Sequence, residues 1–365
     1  MIQRFKEAYE NRHELARELK GEGQQIVGCF YGAVPKELIH AAGMVPIQLV
    51  EDRDHQFEEK SHLLPYLCGM SKNVTGQLYE KVFDYLDAAM VSTVCDTNRR
   101  VTDIWVYNEV APKILLVRAP AMDHDSAVGY FADELKRLAG ELAELSGQQV
   151  TDESLKSSIA LFNESRQLFR RFYEARLDAH VSAEDAVYVF ASALVMPVEE
   201  HNAMMKELLA SLPPSGDENG ATRIMLCAVN LNLSLVVIRM AERYGARVVT
   251  DDLTHNSRYH SYEIDVDGDA FESLSRGYLR KIPIPGMYSF EERATIIRDQ
   301  MAEAGAEGMI YLIQLYCDAY AMEYACLKEY FDQWGLKHLK IEAEDTPTSV
   351  EQLNVRIQSF MESLV

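Results

Sequence analysis

Two cysteines stand in the same local context, one in each half of the chain. Cys95 follows the apolar run Ala88-Ala89-Met90-Val91-Ser92-Thr93-Val94 and opens Cys95-Asp96-Thr97-Asn98-Arg99-Arg100. Cys317 follows Met309-Ile310-Tyr311-Leu312-Ile313-Gln314-Leu315-Tyr316 and opens Cys317-Asp318-Ala319-Tyr320. Each marks a strand-to-helix junction, and at each an aspartate comes next. Cys68, after Leu63-Leu64-Pro65-Tyr66-Leu67, precedes another helical stretch. A helix N-terminus favours negative charge and lowers a thiol pKa, so these three places suit thiolates bound to iron. Four cysteines ordinarily ligate a cubane cluster. Three leave one iron open to water, a substrate oxygen or an unusual ligand. The competing reading is packing, because a free cysteine is usually a small buried apolar filler. Cys29, Cys227 and Cys326 are read in that second way.

Other residues could move protons or hold an anion. Glu37 and His40 share one turn of a short helix and could serve as acid and base, although that spacing also describes a solvated or capping pair. His201, beside Glu199-Glu200 and after Pro197, could shuttle protons or simply sit at a helix start. Asp251-Asp252 ends a strand, where carboxylates face ligand or cap the next turn. Arg258 could pair with a phosphate group, but a surface salt bridge is the commoner use of such a residue.

Short apolar runs alternate with longer helical patterns, the signature of α/β layers. Strands are expected near Ile26–Phe30, Val45–Leu49, Ala88–Thr93 and Lys113–Arg118, with helical stretches such as Lys36–Ala42 and Asn73–Val82 between them. Pro35 suits the first turn of a helix and Gly43 its C-terminal stop. From about His124 to Leu212 the pattern is helical, with a soft break at Gly147–Thr151 and start signals in Thr151-Asp152-Glu153-Ser154. Pro213-Pro214-Ser215-Gly216-Asp217-Glu218-Asn219-Gly220 reads as a linker. Strands then resume at Arg223–Val229, Ala246–Thr250, Gly308–Leu315 and Leu339–Ile341, and Ser349–Leu364 is the closing helix. The expected organisation is an N-terminal α/β lobe over 1–123, a helical segment over 124–213 and a C-terminal α/β lobe over 214–365. Both lobes should be Rossmann- or flavodoxin-like, with parallel sheets whose ligands gather at the carboxyl ends of the strands.

The totals bound the function. A chain of 365 residues, 48% of them hydrophobic, can bury a sizeable core in two lobes. A formal charge of −21 argues against nucleic acid, which needs a basic face. Such acidity serves solubility or a docking surface for a basic partner. Residues Met1 to Gly21 are charged and hold no apolar signal core. No apolar run approaches the roughly 20 residues of a membrane helix, so the expected location is the cytoplasm, without a membrane partner. Six cysteines in a reducing compartment are not expected to form disulfides. The absence of Cys-x-x-Cys indicates neither a zinc ribbon nor a thioredoxin-like site. No Gly-x-Gly-x-x-Gly or phosphate loop supports an ordinary nucleotide-binding protein.

A set of motifs in order resembles a known family. Gly28-Cys29-Phe30, followed by Val34-Pro35-Lys36-Glu37-Leu38-Ile39-His40-Ala41-Ala42-Gly43-Met44-Val45-Pro46, is similar to the opening signature of the 2-hydroxyacyl-CoA dehydratase and benzoyl-CoA reductase family. Cys95-Asp96-Thr97 resembles its second cysteine box. The stretch from Gly305-Ala306-Glu307-Gly308 through Cys317-Asp318 to Met322-Glu323-Tyr324 resembles the third, and Glu351-Gln352-Leu353-Asn354-Val355-Arg356 with Phe360-Met361-Glu362 the closing helix. The matches span nearly the whole chain, and their order is more specific than any one of them. Length fits the smaller of two subunits. Val195-Met196-Pro197-Val198-Glu199-Glu200-His201-Asn202 is closer to the small benzoyl-CoA reductase subunit, while Thr250-Asp251-Asp252-Leu253 with Ser257-Arg258 suits dehydratase small subunits equally.

The resemblance implies a heterodimer with a larger homologous subunit, an ATP-dependent iron–sulfur activator protein, a CoA-thioester substrate and one-electron, ketyl-type chemistry. It also implies a [4Fe-4S] cluster held by Cys68, Cys95 and Cys317. The flanks of Cys68 match least well. Ala319 and Ala325 stand where the family often has proline, and Cys227-Ala228 where glycine is usual, which puts the substrate in doubt but leaves the ligands. Two alternatives remain open: an electron-transfer or structural subunit whose active site lies in the larger partner, and a homodimeric double-cubane reductase.

Overall fold

The architecture is taken from a computed structural model, which describes residues 1–52, 63, 65–178, 181–212, 220–254, 256–281, 285, 289–344 and 347–364. Pro213 to Asn219 of the expected linker lie outside the described residues.

Among the described residues eight strands fall into two parallel sheets. β1 (Ile26–Phe30), β2 (Val45–Gln48), β3 (Ala88–Ser92) and β4 (Ile114–Val117) form the first, in the order β2-β1-β3-β4. β5 (Thr222–Ala228), β6 (Ala246–Leu253), β7 (Gly308–Gln314) and β8 (His338–Ala343) form the second, in the order β6-β5-β7-β8. The two orders are the same, although no sequence repeat betrays it. In each sheet the chain steps outward on one side and then returns to the other side of its first strand. That makes a switch point between β1 and β3, and another between β5 and β7. Every strand lies where the apolar runs put it, within a few residues.

Parallel strands are covered on both faces and therefore read as continuous apolar runs. β1, β3 and β7 are buried along their whole length. Alternate residues serve different layers. Phe30 and Val91 of the first sheet and Leu226 and Ile310 of the second belong to one shared core. Val27, Cys29 and Met90 face a second layer with the helix Asp125–Ser146. Met225, Cys227 and Met309 face a third. The two sheets thus share a central apolar layer.

Local signals place the helices. Gly147 has a left-handed φ of 73° and ends the helix Asp125–Ser146. Thr151 and Ser154 cap the next helix reciprocally, each backbone N–H donating to the other's hydroxyl at 3.0 and 3.1 Å. Gly43, at φ 74°, follows the helix Lys36–Ala41 as expected. Pro35 is that helix's N-cap, one place before the first turn foreseen for it. The stretch expected to start at Asn73 begins earlier, at Gly69, because Cys68 is its extended N-cap. Before β1 come the helices Ile2–Glu10 and Arg12–Gly21. The helix Ala270–Arg280, late in the chain, packs on the first sheet's outer layer through Ala270, Leu274 and Leu279, and Ser275 donates to the carbonyl of Val128 at 2.7 Å.

Candidate functional site

Ligands of open α/β sheets collect where neighbouring connections leave the strands on opposite sides. After β1 the chain enters Tyr31-Gly32, and after β3 it enters Thr93 to Cys95. Gly32 has φ +108°, and a Cβ there would stand 2.8 Å from Val94 Cγ2. Glycine is therefore required for the two loops to touch. Asn98 ties them together, its amide donating to the carbonyls of Tyr31 and Ser92 at 3.2 and 3.1 Å. The second sheet uses its matching switch point. Cys317 follows β7, and Asn230, just after β5, donates to Gln314 Oε1 at 2.7 Å.

Cys68, Cys95 and Cys317 are all helix N-caps, of Gly69–Tyr79, Asp96–Tyr107 and Asp318–Gln333. Cys95 and Cys317 occupy the same topological position in the two sheets. Cys68 reaches the second sheet through Gly69, where a Cβ would lie 2.9 Å from Gln314 Nε2. Tyr316, immediately before Cys317, is held at φ +64°, a conformation that costs a non-glycine residue energy and clusters at functional sites. A buried carboxylate, Glu51, braces both sides. It accepts from Tyr31 Oη at 2.9 Å and from Asn230 Nδ2 at 2.7 Å, and its carbonyl accepts from Asn232 at 3.1 Å.

The thiols do not show the lowered pKa that helix ends alone would give. Burial pushes Cys317 up to about 12, and the thiols of Cys68 and Cys95 add to the shift. Cys95 is raised by burial and by Cys68, against a hydrogen bond from the Asn98 N–H to its sulfur at 3.4 Å. Cys68 is raised by burial, with Ser71 Oγ 3.2 Å from its sulfur working the other way. The three are near enough to feel one another's charge, so thiolates there need a positive centre among them. Among the described residues no three His, Cys, Asp or Glu side chains close on a single ion. A cubane asks for something else, since its thiolates bind separate irons and must stand apart around it. The donor set fits such a group.

Two of the remaining cysteines are placed as packing residues. Cys29 and Cys227 lie fully buried inside β1 and β5 and face the two outer apolar layers, away from the shared one. Cys326 is half-buried on the helix Asp318–Gln333.

The expected acid–base residues are positioned otherwise than their spacing suggested. Glu37 is not solvated. It is completely buried, paired with Arg166, and accepts from Tyr278 Oη at 2.7 Å. Burial alone would raise its pKa, but Arg166 and these hydrogen bonds hold it below the usual carboxylate range. His40 points away to Ser158 Oγ at 3.0 Å and Glu199 at 2.8 Å. His201 is buried against Phe5 and Phe169, with Nε2 near the Val189 carbonyl and Ser192 Oγ at 3.0 and 3.1 Å. Burial lowers its pKa to about 4, so it is neutral at physiological pH and poorly placed to shuttle protons. Arg258 is no surface residue. It is 3% exposed and forks onto Asp252 at 2.8 and 2.5 Å, and Arg293 clasps the same carboxylate. Asp252 is held well below the usual range because these two guanidinia outweigh its burial. Asp251 goes the other way, raised by burial, and accepts from Asn256 at 2.5 Å.

Sequence reading missed a cavity of about 80 Å³ beside the Tyr31-Gly32 loop, walled by both halves of the chain. Tyr31, Lys36 and Gln48 come from the first half, Arg258, Tyr262 and Lys281 from the second. Its tyrosines and cations are scattered along the chain, and no spacing joins them.

Comparison with known proteins places these features. The model of the family described as 2-hydroxyglutaryl-CoA dehydratase, D-component, matches residues 31–364, and the chain belongs to that family. A benzoyl-CoA reductase subunit of Thauera aromatica is 26% identical over 345 residues, covering 91% of this chain and 88% of that protein. The beta subunit of lactoyl-CoA dehydratase from Anaerotignum propionicum is 24% identical, covering 100% and 98%. The beta subunit of (R)-2-hydroxyglutaryl-CoA dehydratase from Acidaminococcus fermentans is 23% identical, covering 100% and 99%. Each relative is named as one subunit of an enzyme, and this chain aligns with nearly all of it. Among the described residues no helix is long and apolar enough to cross a membrane.

Proposed function

We propose that the chain is an iron–sulfur subunit of an oxygen-sensitive enzyme acting on acyl-CoA thioesters, of the benzoyl-CoA reductase or (R)-2-hydroxyacyl-CoA dehydratase type. Cys68, Cys95 and Cys317 would hold a [4Fe-4S] cluster, with one iron left open to water, a substrate oxygen or an unusual ligand. When bound, such a cluster supplies low-potential one-electron chemistry, here toward a ketyl-type radical of the thioester. A larger homologous subunit would complete the enzyme, and an ATP-dependent activator would deliver the electron.

The observation that carries this reading is the placement of the three thiols, each capping a helix, two of them at matching switch points of twin sheets. The residues around them have defined work. Asn98 fixes the Cys95 loop to the loop after β1 and donates a backbone hydrogen bond to the sulfur, the kind of contact that tunes a cluster's potential. Glu51 and its partners Tyr31 and Asn230 tie the loops that follow β1 and β5 together. The helix N-termini favour the negative charge of a thiolate-ligated centre.

The test is anaerobic copurification with the partner subunit and activator, followed by assay with benzoyl-CoA and a panel of 2-hydroxyacyl-CoA esters. Turnover of one substrate class, lost in Cys95→Ser, is expected. No turnover of either class by the complete, ATP-supplied system would overturn the assignment.

A further inference from the structure

The cavity beside Tyr31-Gly32 holds charges that the cluster reading does not use. Arg166 is balanced by Glu37, and Arg258 and Arg293 by Asp252, with Glu323 also on Arg293. Two ammonium groups at the same wall, Lys36 and Lys281, have no carboxylate partner among the described residues. Lys281 instead lies over the rings of Tyr278 and Tyr262, 4.9 and 5.9 Å from their centres. Arg258, itself 3% exposed, leaves Nη1 buried without an acceptor. Buried N–H groups without partners are costly, and a native site that keeps one asks for an explanation. Burial lowers both lysines, Lys281 to about 8, and outweighs the Glu37 carboxylate, which acts on each of them in the other direction. The rest of the lining is mixed: Phe169, Phe190 and Leu194 supply apolar surface, and Gln48, Thr254 and the tyrosines add polar atoms.

We propose that this cavity binds a small organic monocarboxylate. Its carboxylate would lie among Lys36, Lys281 and Nη1 of Arg258, and its hydrocarbon body against Phe169, Phe190 and Leu194. The volume, ≈ 80 Å³, limits the body to a short acyl chain or a single ring entering from the open side. A carboxylate is favoured over phosphate because the wall pairs a few N–H donors with aromatic carbon, and a phosphate has no apolar side to present. This claim needs neither iron nor turnover.

The experiment is calorimetric titration of the purified full chain with benzoate and with isobutyrate, against inorganic phosphate and chloride at equal ionic strength. One saturable site per chain for at least one carboxylate is expected. Lys281→Met should weaken it by about tenfold or more. Ala193→Leu, which fills the cavity and touches no charge, should abolish it while circular dichroism remains native. If one variant misfolds, the other decides. Absence of saturable heat with both acids, unchanged affinity in the folded variants, or equally tight phosphate binding would each overturn the proposal. Carboxylate binding by iron-free chain would leave it standing even if the cluster assignment fell.

Discussion

Replacing Glu37 by glutamine strips a carboxylate from a pair in which both side chains are fully buried. Arg166 is then left charged in the interior, keeping contacts already present in the native protein: Asn163 Oδ1 at 3.0 Å, Tyr262 Oη at 3.3 Å, and the rings of Tyr262 and Tyr259 at 4.6 and 5.3 Å. Removing one partner of a buried ion pair costs about 3–5 kcal/mol. That raises the unfolded fraction by roughly two to three and a half powers of ten. Removing both charges, as in Glu37→Leu with Arg166→Met, should recover most of the loss, since well-packed apolar side chains replace a buried pair at little cost. Denaturant unfolding followed by circular dichroism on native, single and double variants measures this. A single substitution costing less than about 1 kcal/mol, or a double as unstable as the single, would show that the buried pair carries no such energy. The pH dependence gives a second check. Glu37 has a folded pKa below its ordinary 4.5, so as pH falls the unfolded chain takes up the proton first. Its contribution is complete above about 4.5 and disappears as pH drops through the folded value. Glu37→Gln should lack that part of the acid slope.

Two further outcomes follow from local geometry. The His201 imidazole, lowered to about 4, should remain neutral at pH 6 by NMR. Because the unfolded chain protonates it first, stability should fall between about 6.5 and 4, and His201→Gln should flatten that interval; an imidazole titrating near 6.5 would contradict this. Gly32→Val places a side chain against Val94 at a left-handed φ. It should cost about 1–3 kcal/mol and lower iron retention by shifting the Cys95 loop, so an unchanged thermal midpoint with full iron content would count against the loop contact.

Much of the fold was legible because parallel strands announce themselves as apolar runs. Ile26–Phe30 was read to the residue, and Gly147 and Thr151 marked the helix break by their own chemistry. Cys95 and Cys317 were legible because a junction cysteine before aspartate repeats. The early start at Gly69 was not, since neither Cys68 nor a glycine is an ordinary helix-start signal. Glu37 and Arg258 were misread as surface groups because a sequence shows a charge but not its partner. Arg166 lies 129 residues from Glu37 and Arg293 41 residues from Asp252. The cavity was invisible for the same reason, its cations and rings being gathered from both sheets by packing alone.

Iron and acid-labile sulfide per chain, measured on anaerobically purified native protein and on Cys68→Ser, Cys95→Ser and Cys317→Ser, decide whether these thiols hold a cluster. About four of each per native chain, with a sharp loss in every variant, is the predicted result. Native protein without iron, or variants that keep the full complement, would contradict it.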